Sequence, residues 1–245
     1  MRSLVVFQYQ NKIRYIGMLY GYGSVILDGA LVTIEQALLS VVLSFLLGLI
    51  GAAAKSSQSK LAKLVAGTYT TLIRGVPDLV LMLLIFYGLQ IAVNTVTESV
   101  GIAQINIDPF TAGVLTIGFI YGAYFTETFR GAYLMVPKGQ LEAGVAYGFS
   151  PWQTFRYILF PQLMRFALPG ITNNWQVTLK ATALVSIIGL SDVVKATQNA
   201  GKGTYQFFYF TIVAAVVYLI FTTVSNLVLL WLERRYSMGV RSAEL

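Results

Sequence analysis

The chain contains no cysteine and no histidine. Without cysteine there is neither a disulfide nor a thiolate metal site. Without histidine the usual proton shuttle near neutral pH and a common metal ligand are missing too. Charge is also scarce: Asp, Glu, Lys and Arg make up 11% of the 245 residues, where a soluble domain carries about 25%. Apolar residues take their place, at 56% of the chain. That balance identifies an integral membrane protein. The net charge of +7 suggests nucleic acid only until the basic residues are placed. They lie beside apolar runs, so membrane lipid is the expected contact and no nucleic acid is expected.

The expected fold is all-α and polytopic, with five transmembrane helices. The spans fall at about 24–54, 60–93, 110–135, 163–190 and 205–231. Arg74, Gly75, Val76, Pro77 and Asp78 interrupt the second. Either half of it alone is short for a hydrocarbon core of about 30 Å, so one kinked span is expected. Residues 1–17 read as an N-terminal extension with Met18 as an alternative start, and 18–245 as a single transmembrane domain. No cleavable signal is evident in the extension.

Basic residues set the orientation. Lys55, Lys60, Lys63, Arg130, Lys138, Arg156, Arg165, Arg234, Arg235 and Arg241 fall on one side, against Lys195 and Lys202 on the other. The positive-inside rule puts the first group, and the C-terminus, in the cytoplasm, with the chain start outside. Arg2, Lys12 and Arg14 then sit on the wrong side, which also favours a start at Met18. No internal repeat is visible, and five is an odd number. A two-fold pore therefore needs a second subunit.

Residues 137–162 form a polar, well-punctuated segment between the third and fourth spans. Gln140 to Tyr147 allows about two helical turns, stopped at Gly148, which is free to take positive φ. Ser150 reads as an N-cap, Pro151 as the first helical residue and Gln153 as its capping-box partner. Pro161 disfavours helix in the residue before it, so the second short helix is expected to end near Phe160. Spacing alone describes a structured loop on the membrane surface.

Glu142-Ala143-Gly144, then Gly148, Ile158 and Pro161, resembles the EAA loop of ABC-importer permeases. That family's pattern is Glu-Ala-Ala, three residues, Gly, nine residues, Ile, any residue, Leu-Pro. Gly144 replaces the second Ala and Phe160 the Leu. Gly144 is expected to loosen the first short helix, since Gly costs about 1 kcal/mol against Ala mid-helix. The resemblance extends through 69–88, 118–131, 173–186 and 232–237, and is nearest to the permeases of importers for histidine, lysine, arginine and ornithine.

The resemblance implies a type I importer permease in the bacterial inner membrane, non-catalytic itself. It implies a second permease, two cytoplasmic ATP-binding subunits that hold ATP and magnesium, a periplasmic binding protein and cationic amino acids as cargo. No cofactor is expected in this chain, which has no Walker motif. Glu142, Ala143, Gly144, Gly148, Ile158 and Pro161 are assigned by the resemblance to coupling with the ATPase.

The substrate-pathway candidates come from intramembrane polarity, which faces a partner or an aqueous cavity. Arg74 and Asp78 sit four apart and pair with each other in the plainer reading; Asp78 is otherwise the candidate for cation selectivity. Glu127 and Arg130 form an intrahelical pair in the cheaper reading. Glu35 is either a pore carboxylate or faces the partner subunit. Lys180, with Thr182, either holds the substrate carboxylate or bridges to Glu35 or Glu127. Tyr121 and Tyr124 are set aside as packing. The competing classes are an ion-coupled secondary transporter, disfavoured by the missing repeat, and an intramembrane enzyme, which lacks His, Cys and a metal motif.

Overall fold

The computed structural model describes residues 19–237; the 1–17 extension, Met18 and Arg241 lie outside the described residues. Those described are all-α. Helix α1 is Gly23–Ser56, α2 Lys60–Gly75, α3 Asp78–Ser99, α4 Pro109–Leu134 and α5 Lys138–Ala146. Helix α6, Pro151–Thr154, runs through a π segment, Phe155–Leu159, into α7, Phe160–Ala181, which ends in a 3-10 segment, Thr182–Ile188. Helices α8, Val193–Thr204, and α9, Phe207–Ser237, complete the chain.

Three of these helices are long and apolar enough to cross a membrane unaided: Gly23–Ser56, Asp78–Ser99 and Phe207–Tyr236. The pair Pro151–Ile188 and Val193–Thr204, bent by 53°, adds up to a fourth. The second expected span needs correcting. Its break falls at Val76 and Pro77 as expected, but α3 continues to Ser99 rather than stopping near 93. At 22 residues, α3 is about 33 Å long, long and apolar enough to cross without α2. The third expected span, α4, is 26 residues long but does not reach that apolarity. Its Gly and Thr residues are what its packing requires.

Helices α1 and α4 lie side by side along most of their length. A Cβ on Gly48 would strike Phe125, and one on Gly51 would strike Thr126. From the other side, Gly118 leaves room for Leu43, and Gly122 for Leu47 and the Tyr69 hydroxyl. Lipid tails are as apolar as leucine, so close backbone approach through small residues is what holds helices together in a membrane. Ser44 Oγ donates across this seam to the Gly118 carbonyl at 3.1 Å. On the far face of α4, Asn174 of α7 donates to Thr128 Oγ1 at 3.0 Å. Thr172 of α7 donates to Glu233 of α9 at 2.7 Å.

The ends follow local chemistry. Ser59 caps α2. Asp108 caps α4 ahead of Pro109, accepting from Thr111 N–H at 2.9 Å; that donation holds its carboxyl below the usual range. The residues after the fourth expected span form a helix, α8, rather than a plain connection. Asp192 caps it, and Val193 N–H donates to Thr33 Oγ1 of α1 at 3.2 Å.

Gly51→Ala is expected to destabilise the protein by about 1–3 kcal/mol through overpacking against Thr126. Gly67→Ala, where a Cβ meets nothing within 4 Å, is expected to be neutral or stabilising by up to about 1 kcal/mol. Thermal unfolding midpoints in detergent compare the two.

Candidate functional site

Two groups of candidate residues come together in the structure, one on the α5–α7 loop and one beside the α2–α3 break. In the loop, Pro137 starts α5 and Tyr147 ends it. Gly148 takes φ of +79°, the left-handed conformation that carries the chain to Ser150. Ser150 then makes the expected capping box: its hydroxyl accepts from Gln153 N–H at 3.3 Å, and Gln153 Oε1 accepts from Ser150 N–H at 2.8 Å.

Two loop expectations are corrected. The second short helix does not end at Phe160. Phe160 is helical, with φ −60° and ψ −46°, and its N–H bonds to the Phe155 carbonyl five residues back. This π turn shifts the ladder just where Pro161 removes a donor, so the helix passes the proline and becomes α7. Gly144 does not merely loosen α5. It is buried, and a Cβ there would meet Ile158 Cδ1 at 2.6 Å. The glycine makes the seat for Ile158, so the two arms of the loop brace each other.

Around that brace, Leu141, Val145, Phe149, Pro151, Thr154, Phe155 and Leu159 line a groove of about 390 Å³. Tyr147, Trp152 and Tyr157 are exposed beside it. Glu142 and Ala143 are exposed as well. The loop thus presents an apolar surface with one acidic residue.

The second group is a polar cavity of about 490 Å³ lined by Lys55, Thr70, Thr71, Arg74, Gly75, Tyr124, Glu127 and Arg130. Glu127 is its centre. The Arg130 guanidinium reaches Glu127 Oε2 at 2.9 Å, as the intrahelical reading expects. Lys55 of α1 bonds the other oxygen, Oε1, and also Thr70 of α2. Through Lys55, the carboxylate of α4 is thus linked to α1 and to Thr70 of α2. Sequence reading missed Lys55 because it served there only as a loop charge.

Arg74 and Asp78 do not pair. The Tyr121 hydroxyl donates to Asp78 Oδ2 at 2.7 Å, and the Arg74 guanidinium lies 5.5 Å from the centre of the Tyr124 ring. The helix break at Val76 and Pro77 spoils the regular four-residue geometry an ion pair needs. The two tyrosines set aside as packing are thus the partners of these charges. The signal for them was positional: residues 121 and 124 share a helix face with Glu127.

The remaining candidates stand apart. Glu35 and Lys180 are exposed, and neither makes an ion pair among the described residues. The alternative for Lys180, a bridge to Glu35 or Glu127, is not formed among the described residues; Lys55 and Arg130 hold Glu127. Thr182 is buried; its hydroxyl bonds the Leu179 carbonyl at 2.7 Å and lies 3.1 Å from the Tyr218 hydroxyl. No group of His, Cys, Asp and Glu among the described residues is arranged to hold a metal.

Residues 44–238 match the protein family described as "Binding-protein-dependent transport system inner membrane component". The chain is 68% identical over 228 residues to the histidine/lysine/arginine/ornithine transport system permease protein HisQ of Escherichia coli K12, covering 93% of this chain and 100% of that one. It is 39% identical to the nopaline transport system permease protein NocQ of Agrobacterium fabrum, covering 91% and 95%. A crystal structure of "an amino acid ABC transporter with histidines" superimposes with a TM-score of 0.75 at 33% identity, covering 89% of this chain and 97% of that chain.

Lys55→Met or Glu127→Gln alone is expected to lower stability by about 1–3 kcal/mol, because each removes one charged hydrogen-bonded contact from a half-buried cluster. The charge swap Lys55→Glu with Glu127→Lys is expected to recover part of the loss. Chemical denaturation of the wild type, the two single variants and the swap compares their stabilities.

Proposed function

The chain belongs to the family of inner-membrane components of binding-protein-dependent transport systems, and from that premise we propose that it is the permease subunit of an ATP-driven importer for cationic amino acids. The observation that carries the cargo class is the 68% identity, along the full length of the relative, to a histidine/lysine/arginine/ornithine permease. The subunit forms its pore with a second, related permease. Two cytoplasmic ATP-binding subunits hold ATP and magnesium, and a periplasmic binding protein delivers the amino acid. The basic loops face the cytoplasm and the first span starts outside, which the Lys and Arg distribution supports.

In this reading the α5–α7 loop is the coupling element. Its exposed apolar groove and Glu142 meet the ATP-binding subunit, and Gly148 and the π turn set the angle at which they do so. Ala143 lies on the same exposed arm. Gly144, Ile158 and Pro161 act from inside the loop, holding its arms at a fixed spacing. Asp78 is the selective carboxylate on the pathway. A cationic side chain entering the membrane loses hydration, and a half-buried carboxylate held by Tyr121 and free of Arg74 offsets that loss. Glu35 and Lys180 face the pathway or the second permease, Thr182 braces the end of α7 against Tyr218 from inside, and Glu127 with Arg74 lines the cytoplasmic end of the pathway.

Co-purification tests the assembly: the chain brings down a second permease and ATP-binding subunits, and loaded binding protein raises their ATPase rate. In that assembly Glu142→Lys is expected to leave the membrane subunits folded and paired while abolishing the rise in ATPase. Full retention of the stimulated rate would sink the coupling assignment.

Asp78→Asn is expected to weaken arginine and lysine transport more than transport of histidine above its side-chain pKa of about 6.5. The difference is about 1–3 kcal/mol, the cost of a desolvated group losing its charged partner. Uptake into reconstituted vesicles at saturating ATP measures it. Equal loss for all three substrates would make Asp78 structural.

A further inference from the structure

The cavity beside the α2–α3 break holds more positive than negative charge. Lys55, Arg74 and Arg130 line it against the single carboxylate of Glu127. Lys55 and Arg130 are both committed to Glu127. Arg74 is not. Its natural partner, Asp78, accepts from Tyr121, and its own contact is the face of Tyr124 at 5.5 Å. A cation–π contact satisfies none of the five guanidinium N–H donors. Among the described residues no carboxylate pairs with Arg74. Even with Asp78 counted, three cations face two carboxylates.

We infer that the cavity bounded by Lys55, Arg74 and Arg130 is a binding station for a single oxyanion, supplied by the α-carboxylate of the amino acid as it leaves toward the cytoplasm. The inference rests on the permease reading above and adds to it a second recognition point, for the part of the cargo that all amino acids share. The excess positive charge repels a lysine or arginine side chain and attracts the carboxylate. The chemistry of Arg suits it, because the planar guanidinium binds a carboxylate through two parallel N–H donations.

The spacing supports an oriented cargo. Tyr121 and Tyr124 are three residues apart on α4, about 4.5 Å along its axis. One holds Asp78 and the other lies under Arg74. An acid and a base are therefore presented about one helical turn apart, Arg74 within the cavity lining and Asp78 just beyond it. A cationic amino acid lies across them with its carboxylate on Arg74 and its ammonium or guanidinium toward Asp78. An inner-leaflet phospholipid carries the same oxyanion chemistry in its phosphate, and the test separates the two sources.

The assembled transporter, in nanodiscs of phosphatidylcholine, is equilibrated with labelled arginine and competed with unlabelled arginine or with agmatine, which lacks only the carboxylate. For the wild type, agmatine is expected to compete about tenfold or more weakly than arginine, the worth of one charged hydrogen-bonded contact. Arg74→Gln is expected to bring the two within about twofold, and Arg74→Lys to restore only part of the gap, since it keeps the charge but not the paired donors. A gap that is present in phosphatidylcholine and erased by phosphatidylglycerol keeps the oxyanion site and assigns it to lipid. A gap that Arg74→Gln leaves intact, or no gap in either lipid, overturns the inference. Arginine uptake by the same wild-type assembly is scored separately. Failure of uptake sinks the permease reading as well, whereas uptake without an Arg74-dependent gap sinks only the station.

Discussion

Close approach of α1 to α4 is the constraint from which the rest of the structure follows. In lipid no hydrophobic force draws two apolar helices together, so contact depends on backbones coming near enough for dispersion and hydrogen bonding to act. Gly48 and Gly51 on one helix and Gly118 and Gly122 on the other remove the Cβ atoms that would prevent it. The approach leaves Ala123, Phe125 and Thr126 of α4 wholly buried. The same residues lower the apolarity of α4 below that of an independent span. A helix built largely for packing, with Leu115 and Phe119 left on its exposed face, gives up the composition that would let it cross a membrane alone.

The positions of the charges are consequences of that seam. Because the contact runs as far as Gly51 and Thr126, the end of α1 delivers Lys55 to Glu127, the next residue of α4. A charge taken out of water costs several kcal/mol unless it is paired and hydrogen-bonded. Glu127 meets that condition with two cations. Higher on α4, Tyr124 and Tyr121 face the point where α2 gives way to α3. A helix interrupted there exposes polar groups only where something polar can answer them, and the two tyrosines answer Arg74 and Asp78.

Much of this was legible in the sequence where a single residue has one dominant physical effect. Gly148, Ser150 and Gln153 specify the turn and the capping box locally, and each behaves as its chemistry requires. The pair Glu127–Arg130 is legible for the same reason, being three residues apart on one helix. Lys55 was not legible as its third member, since the contact joins residues 72 apart and depends on glycines that carry no charge signal. Pro161 misled because a proline ends a regular α-helix, whereas a π turn placed before it lets the helix continue. Gly144 read as a defect in helix propensity until Ile158 was seen resting on it. The helix α8 was obscured by its polar residues and glycines, which look like a connection when read singly. Arg74 and Asp78 have helical spacing, but two non-helical residues between them decide that they do not meet.

The loop proposed to couple to the ATPase is joined to the charged cavity at both of its ends. On the incoming side, Arg130 lies one turn before the end of α4, and Pro137 starts α5 directly afterwards. On the outgoing side, the π segment passes without interruption into α7. That helix returns to α4, where Gly170 leaves room for Thr128 and Asn174 donates to its hydroxyl. Thr128 is the residue after Glu127. Ile158 seated on Gly144 closes the circuit within the loop, so the two arms cannot move independently without losing a packed contact. In the proposed coupling, a push on the groove at Leu141 and Phe155 would meet the same turn of α4 from two directions. From that turn the Glu127–Lys55 pair reaches α1, and Lys55 in turn bonds Thr70 of α2. A displacement of one α4 turn changes how Lys55 and Arg130 share the carboxylate, and with it the space beside Arg74.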